Sequence, residues 1–294
     1  NVTQFLQQLV NGLSLGSIYA LIALGYTMVY GIIKLINFAH GDIYMLGAFT
    51  AFYATTVFHL NFFLALIVAM VLCGVLGVLI ERIAYKPLRH ATRITALITA
   101  MGVSYILEYT TQYFAGSEVK TFPEDVLNNA VFQIGGIQIS QQQIYIIAVT
   151  LILMLALTYI VGRTRMGRAM RAVSVDEKAA ELMGISVDRT ISFTFLLGSV
   201  LAGAAGVLVG VYYNSINPLM GMVPGLKAFI AAVFGGIGII PGAMIGGFAI
   251  GIAETMVVAY GSSLYRDAIV YVILILILII KPAGLLGKNV KEKV

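Results

Sequence analysis

Five polar residues interrupt otherwise apolar stretches of this 294-residue chain and could carry chemistry. Glu108 and Glu254 lie well within apolar runs, whereas Asn37, His40 and Asp42 share one short segment. Carboxylates are costly inside a membrane and usually face protein or water. Glu108 and Glu254 are therefore predicted either to line a solute path, where one could bind an amino group, or to hydrogen-bond between helices. The other three are predicted to form a polar gate, or a capped helix start through Asn37 or Asp42.

The sequence does not indicate a metal-dependent or nucleophilic enzyme. Its three histidines, His40, His59 and His90, do not have the spacing of metal ligands. H-E-x-x-H does not occur. The letters of G-x-S-x-G occur at 12–16, but inside an apolar run and not at the strand-to-helix turn that a nucleophile elbow requires. A single cysteine, Cys73, excludes an intrachain disulfide and a cysteine-based metal cluster. We therefore expect neither an enzyme nor a metal site, and no cofactor bound by this chain.

The composition indicates a membrane protein that positions these residues on helices. Hydrophobic residues make up 60% of the chain, charged residues only 11%, and the mean hydropathy is +0.96, whereas soluble domains carry about 25% charged residues. No basic segment precedes the first apolar run, so no cleaved signal peptide is expected. The fold is predicted to be all-α and polytopic, with one transmembrane domain over 1–294. Because a span needs about 20 apolar residues, spans are predicted at 9–30, 43–59, 62–80, 94–114, 143–162, 190–213 and 266–280.

The stretch 226–259 is too long for one span and is interrupted by glycines and a proline. We predict that it crosses the membrane twice or re-enters, as a broken hairpin with short helices. The turn at its inner tip is predicted at the interrupting residues, which brings the total to eight or nine transmembrane helices. These residues are Gly235, Gly236, Gly238, Pro241 and Gly242.

Loop charges predict the orientation, because cytoplasmic loops carry an excess of Lys and Arg. The loops 81–93 and 163–189 are basic, as is the tail with Lys291 and Lys293, so all three are predicted to be cytoplasmic. The loop 115–142 has three acidic residues and one lysine and is predicted to be periplasmic. Counting spans backwards places the N-terminus outside. Topology explains the net charge of +5, so no nucleic-acid partner is expected.

Small residues recur every four positions in two of the predicted membrane segments and so share one face of each helix. Such faces let helix backbones approach closely inside a membrane. We predict that they serve static packing, and the alternative is that they slide during alternating access. The residues are Gly198, Ala202, Gly206 and Gly210 in the first segment and Gly242 and Gly246 in the second.

The loop 163–189 contains signals for a short helix. Ser174 and Glu177 have the spacing of a capping box, and Gly184 suits the position just after a helix end. A helix this short is marginal alone, so we expect it to dock in a groove of a partner. The alternative is a solvated basic loop that follows the positive-inside rule. The expected docking surface is a compact apolar set, namely Ala179, Ala180, Leu182 and Met183.

Part of this loop resembles the cytoplasmic "EAA" loop of ABC importer permeases. The resemblance rests on Ala179-Ala180 followed by Gly184, and it departs from the motif at Lys178, which stands where the family has glutamate. In that family the loop forms a coupling helix seated on the ATPase. The resemblance therefore implies a coupling role for Arg165, Met166, Gly167, Arg168, Arg171, Ser174, Glu177, Ala179, Ala180 and Gly184.

Longer runs resemble the LivH-type permease subunit of branched-chain amino acid ABC transporters. They read GYTMVYGIIKLINFAHGDIYMLGA at 25–48, RMGRAMRA at 165–172 and GGIGIIPGAMIGGFAIGIAE at 235–254. The resemblance covers residues 11–287 and implies a multi-pass subunit of the bacterial inner membrane, surrounded by lipid, that takes part in leucine, isoleucine and valine uptake.

The implied partners are a homologous second permease, two cytoplasmic ATPases and a periplasmic amino-acid-binding protein. This chain has no G-x-x-x-x-G-K-[ST] phosphate loop, so ATP and Mg²⁺ are expected on the ATPase subunits. Two alternatives remain open at this point. The same architecture could import urea, short amides or another small polar solute, or the chain could be an autonomous channel or secondary transporter.

Overall fold

The computed structural model describes residues 1–127 and 130–288. Within these ranges the backbone forms eleven α-helices and one two-stranded antiparallel hairpin. The tail lysines Lys291 and Lys293 lie outside the described residues. The elements are α1 Val2–Ile33, α2 His40–Thr56, α3 Phe62–Ile80, α4 Arg93–Ala115, β1 Val131–Ile134, β2 Ile137–Ser140, α5 Gln141–Arg163, α6 Arg165–Val175, α7 Glu177–Leu182, α8 Val187–Tyr213, α9 Met222–Gly235, α10 Ile240–Tyr260 and α11 Arg266–Ile280.

The predicted all-α polytopic fold is confirmed. Six helices of the described ranges, α1, α3, α5, α8, α10 and α11, are long and apolar enough to cross a membrane. The helices α2 and α9 are shorter, with 17 and 14 residues. The helix α4 has 23 residues but includes several polar ones. Each predicted span coincides with a helix, and the first begins earlier than predicted, at Val2 instead of residue 9.

Contacts that involve the loops and the two ends of α1 define the two ends of the bundle. At the hairpin end, which carries β1 and β2, Gln7 Nε2 donates a hydrogen bond to the Gln138 carbonyl at 2.9 Å. A backbone bridge between Lys120 and Ile216 ties two more loops together there. At the opposite end, which carries α6 and α7, Gly31 at the end of α1 lies against Gly238. The β-hairpin was not predicted and occupies part of the loop 115–142.

The helices α1 and α8 form the centre of the bundle. The middle of α1 is buried on every side from Ser14 to Val29, and most of α8 is buried as well. The helix α1 packs against α10, α8, α9 and α5, while α8 packs against α3, α2 and α1. A helix that is apolar all round belongs in such a fully enclosed position. The peripheral helices α4, α5 and α11 expose most of their surface, as expected for helices that face lipid or a partner.

The predicted broken hairpin at 226–259 is present as α9 and α10. Gly236 and Gly238 in the turn have φ values of 111° and 90°, which side chains with a Cβ rarely adopt. Pro241 lies in the first turn of α10, where its missing N–H breaks no helical hydrogen bond. The expectation of two short helices holds for α9 but is wrong for α10, which has 21 residues and is long enough to cross.

Glycines bring helix backbones into direct contact. A Cβ on Gly206 of α8 would overlap the Tyr44 carbonyl oxygen of α2, and one on Gly246 would overlap the Ala231 carbonyl of α9. Gly242 likewise meets Gly235 across the α9–α10 turn. The four predicted positions of α8 do not face one helix, however. Gly198 meets α1, Gly206 meets α2, Gly210 meets the Phe122 ring, and Ala202 is fully buried.

We predict that Gly206→Leu destabilises the bundle by about 1–3 kcal/mol or more, because the added side chain must displace the α2 backbone. The measurement is thermal unfolding of the purified protein in detergent, followed by size-exclusion chromatography. Gly102→Leu on α4 is the matched control, since nothing lies within 4 Å of a Cβ at that position. Equal stability of the two variants would contradict the packing role of Gly206.

A buried ion-pair network joins α9, α10 and α11 towards the hairpin end. Glu254 of α10 is fully buried and accepts a hydrogen bond from the Tyr19 hydroxyl at 2.8 Å. The Lys227 ammonium lies 3.1 Å from Glu254 and 2.5 Å from Asp267. The Arg266 guanidinium also binds Glu254. Of the two alternatives for Glu254, a place on a solute path or a hydrogen bond between helices, its contacts in this network are of the second kind.

We predict that Glu254→Leu lowers stability by about 3–5 kcal/mol, because it leaves two cations without their shared buried partner. Lys227→Met should cost less, since Glu254 keeps Arg266 and Tyr19. Asp267→Asn, at a carboxylate whose side chain is 58% exposed, should change stability by less than about 1 kcal/mol. Thermal unfolding of the three variants gives the ranking, and a Glu254→Leu protein as stable as Asp267→Asn would contradict this role.

Candidate functional site

A cavity of about 380 Å³ lies between α1, α2, α4 and α9. It exists because α4 packs mainly against α2 and the π-helical turn Glu81–Tyr85, which leaves a gap beside α9. Its floor is a close contact between Gly41 of α2 and Gly221, at which a Cβ would overlap the opposing backbone. Its volume falls in the range of about 300–1,000 Å³ typical of ligand pockets. Its wall is largely apolar and includes Phe38, Leu97, Met101, Leu226 and Phe229.

Two carboxyl groups form the polar corner of this cavity. Asp42 lies in the first turn of α2 and is 3% exposed, and Glu108 lies on α4 and is 9% exposed. The two carboxyls interact with each other, and the Ser104 hydroxyl donates a hydrogen bond to Asp42 Oδ2. Among the described residues no lysine, arginine or histidine makes an ion pair with either. The cavity therefore presents buried acidity without a counter-charge.

The predicted polar gate of Asn37, His40 and Asp42 is not assembled. The Asn37 side-chain oxygen accepts hydrogen bonds from the Tyr85 hydroxyl at 2.6 Å and from the Ala39 N–H at 3.1 Å. The His40 ring is buried, and its Nε2 has no hydrogen-bond partner within the described ranges. Only Asp42 of the three lines the cavity, because consecutive positions of the α2 entry turn point in different directions.

The same turn tests the alternative of a capped helix start. Ala39 is the N-cap of α2, and no side chain makes a capping hydrogen bond there. The Asn37 oxygen holds the Ala39 N–H just before the helix begins, so it stabilises the entry turn without being the N-cap. Asp42 lies inside the first turn of the helix, where a negative charge is favoured by the helix dipole.

Of the two predicted membrane carboxylates, Glu108 lines the cavity and Glu254 does not. Glu254 is neutralised by Lys227 and Arg266 and is enclosed between helices. Lys227, a single lysine in the apolar run of α9, was not predicted as a partner of Glu254 and is 3% exposed. One signal could have predicted this pair: Lys227 and Glu254 are isolated opposite charges in two neighbouring apolar segments, and charges inside a membrane usually pair with each other.

Two short helices, α6 and α7, occupy the predicted loop 163–189, but the predicted capping box is wrong. The helix α6 continues through Ser174, whose hydroxyl donates to the Arg171 carbonyl at 2.7 Å. The cap of α7 is Asp176, which accepts a hydrogen bond from the Ala179 N–H at 2.9 Å. Glu177 is therefore the first residue of α7 and not its third. Asp176 was not predicted as the cap; it takes this place because α6 continues to Val175 and so includes Ser174.

Gly184 follows α7, as predicted, with a φ of 84°. Its N–H donates to the Glu181 carbonyl at 3.0 Å, and the Ile185 N–H donates to the Ala180 carbonyl at 3.1 Å. These bonds satisfy carbonyl groups that the helix end leaves free. Gly167, at the start of α6, lies so close to the Ile160 carbonyl that a Cβ would overlap it. Both glycines thus shape the turns around α6 and α7.

The predicted apolar docking set is split between two sides of α7. Ala180 is 4% exposed and packs on the bundle, whereas Leu182 and Met183 are 88% and 83% exposed. Val175 at the end of α6 is 87% exposed. We call Val175, Leu182 and Met183 the α7 surface. Of the other predicted coupling residues of α6 and α7, Arg165, Arg168, Arg171, Glu177 and Ala179 are exposed, and Met166 is half-buried.

Comparisons with known proteins give consistent results over the full chain. The permease protein BraD of the high-affinity branched-chain amino acid transport system of Pseudomonas aeruginosa is 44% identical over 304 residues, covering 100% of this chain and 99% of its own. The corresponding LivH protein of Escherichia coli is 45% identical over 303 residues, covering 99% and 98%. A probable LivH protein of Methanocaldococcus jannaschii is 30% identical over 293 residues, covering 94% and 90%.

Residues 8–278 match the family described as "Branched-chain amino acid transport system / permease component". The match includes every helix from α2 to α10 and most of α1 and α11, so it covers the cavity, the α7 surface and the Glu254 network together. The chain is therefore a multi-pass membrane protein that belongs to the permease component family of branched-chain amino acid transport systems.

Proposed function

We propose that this chain is the membrane-spanning permease subunit of an ATP-driven ABC importer for leucine, isoleucine and valine. The observation that carries the proposal is the 44–45% identity, over nearly the whole of both chains, to permeases named for branched-chain amino acid transport. The cavity supports the same conclusion, because its wall suits aliphatic side chains and its corner is polar. The substrate passes through the chain unchanged, so no covalent step is involved.

In the proposed topology the end with α6 and α7 faces the cytoplasm of a bacterial inner membrane. The basic loops 81–93 and 163–189 both lie at this end, as the positive-inside rule requires. The acidic loop 115–142 lies at the hairpin end and faces the periplasm. The nine segments that carry α1, α2, α3, α4, α5, α8, α9, α10 and α11 then cross in alternate directions. Because Gly41 at the start of α2 touches Gly221 at the start of α9, these two short helices begin within the membrane, and the residues before them complete each crossing. Nine crossings put the N-terminus outside and the C-terminus inside.

The α7 surface is the proposed seat of a cytoplasmic ATPase. Exposed apolar side chains that lie close together mark interaction sites, and the helices that carry this surface also expose Arg165, Arg168 and Arg171. Because Ala180 packs on the bundle while Leu182 and Met183 project outwards, a movement of the ATPase would be transmitted through α7 to α8. Two ATPase subunits would hold the ATP and Mg²⁺, and α7 of this chain would transmit their movement to the membrane helices.

A second, homologous permease is the proposed neighbour of the cavity. Tyr105 and Met222, which line it, are 54% and 71% exposed, so the cavity is incomplete within this chain alone. The partner would close it and complete a path between the two subunits. A periplasmic amino-acid-binding protein would deliver the solute to the hairpin end, where the loops 115–142 and 214–221 lie together.

The test is uptake of radiolabelled leucine by bacteria that lack their own branched-chain transporter and express this chain with its genomic neighbours. We expect accumulation that stops when ATP is depleted and persists when the proton gradient is collapsed. Uptake of urea or a short amide in place of leucine would keep the architecture and overturn the substrate. Transport that ignores ATP and follows the proton gradient would overturn the importer in favour of an autonomous channel or carrier.

We predict that Leu182→Glu releases the ATPase and abolishes uptake, because burying a carboxylate in the docking groove costs about 2 kcal/mol or more. Co-purification of the ATPase with this chain and leucine uptake are the two measurements. Leu264→Glu is the matched control, since Leu264 is also 88% exposed but lies at the hairpin end. An ATPase that stays bound to the Leu182→Glu protein would show that α7 is not the docking site.

A further inference from the structure

Four carboxylic acids are buried in the described part of the chain, and they fall into two classes. Glu81 pairs with Arg89, and Glu254 pairs with Lys227 and Arg266. Asp42 and Glu108 have no cationic partner within the described ranges, although they are 3% and 9% exposed. The two unpaired acids are also the two that line the cavity between α1, α2, α4 and α9.

A buried carboxylate without a counter-charge is unfavourable, and two that adjoin are more so. Part of the cost is offset at Asp42, where the Ser104 hydroxyl donates a hydrogen bond and the N-terminus of α2 lies close by. Glu108 has no such support. It receives no hydrogen bond from an N–H or hydroxyl group of the described residues, and it points into the cavity. Its one partner among the described residues is Asp42, with which it forms a side-chain hydrogen bond. Because two carboxyls can hydrogen-bond only when one of them holds a proton, the pair keeps one negative charge, and a cation that enters the cavity would neutralise it.

Resting on the importer function proposed above, we propose that Asp42 and Glu108 bind the ammonium group of the amino acid during its passage. An ammonium group has three N–H donors, which is enough to serve both carboxyls at once. The remaining wall fits the rest of such a substrate. Phe229, Met101 and Leu226 form an apolar surface for an aliphatic side chain, and flexible Met side chains adapt to different branching.

The site would recognise a class of ligand and not one amino acid. A primary amine with a branched aliphatic tail satisfies both halves of the cavity, whereas a carboxylic acid with the same tail meets the two acidic groups and is repelled. Specificity of this kind operates in addition to any binding protein, because it acts on the solute after release. Asp42 and Glu108 thus serve as binding residues of the path, not as part of the helix packing.

The binding test uses the purified transporter, with its partner subunits, in lipid nanodiscs. Saturation-transfer NMR, which detects weak binding, compares 3-methylbutylamine with 4-methylpentanoate; the first keeps the ammonium group and the second replaces it with a carboxylate. We expect the amine to bind at least about tenfold more tightly. Glu108→Gln and Asp42→Asn should each weaken binding of the amine about tenfold, and Glu108→Asp, which keeps the charge, should restore most of it. Glu118→Gln, at an exposed acid outside the cavity, is the control and should bind as the wild type does.

Three results would overturn the proposal. Equal binding of the two probes, or an unchanged affinity in Glu108→Gln, would remove the carboxyl pair from recognition. Competition by sodium at the amine's own concentration would assign the site to a metal ion. Loss of the second permease from purified Glu108→Gln would mean that the carboxyls pair with a cation of that subunit; removal of an unpaired charge is expected to leave assembly intact.

Leucine uptake by the same variants separates this proposal from the importer function. If the wild type imports leucine and Glu108→Gln imports it about tenfold more slowly with the ATPase still bound, both proposals stand. If Glu108→Gln imports leucine at the wild-type rate, the ammonium site falls and the importer stands. If the wild type imports no leucine but binds the amine in a Glu108-dependent manner, the importer falls, and the cavity is a site for another amine.

Discussion

Helices in a bilayer gain little from hiding apolar side chains, because lipid tails are as apolar as leucine. Their association depends on how closely the backbones approach, and in this protein glycine sets that distance. Gly206 admits the Tyr44 carbonyl, and Gly246 admits that of Ala231. The buried helix α1 is approached in the same way, since Gly251 of α10 lies against the backbone of Gly16. The cavity follows from the same constraint, since α4 has fewer such contacts and stands away from α9. The close packing at the centre of the bundle and the cavity at its edge therefore both depend on how closely the helix backbones approach.

The buried carboxyl groups of the described residues also fall into two groups, those paired with a cation and those without one. Where the bundle needs rigidity, carboxylates and cations neutralise one another, as Glu254 does with Lys227 and Arg266. At the cavity, where we propose that the solute passes, Asp42 and Glu108 are left without a cationic partner among the described residues. A permanently paired charge would hold its site shut, because opening it would expose an uncompensated ion to low dielectric. Lys227 thus lies on the side of α9 that packs against α10 and α11. In our proposal the side of α9 that faces the cavity receives its cation from the ammonium group of the substrate.

Much of the fold could be predicted from sequence, because a bilayer allows few structures and span length, loop charge and glycine position are all local signals. The broken segment 226–259 was predicted for this reason. Side-chain partners could not be predicted in the same way. Nothing local links Glu108 to Asp42, which is 66 positions away, or separates Asp42 from His40, whose side chains diverge within one turn of α2. The cap of α7 failed for a different reason, since Ser174 and Asp176 are both good caps and only the end of α6 decides between them.

The contact between Gly41 and Gly221 at the floor of the cavity has a consequence for how such a protein evolves. When two large side chains are in contact, a smaller residue at one position can be compensated by a larger residue at the other, so new pairs can arise by mutation. Here both partners are already the smallest residue and each faces the other's backbone, so no compensating substitution exists. Lineages that acquire a new solute must therefore keep this floor and alter the walls, at positions such as Met101 and Leu226. In this architecture a change of solute therefore requires substitutions at a few wall side chains, because the backbone at the floor is fixed by the contact between Gly41 and Gly221.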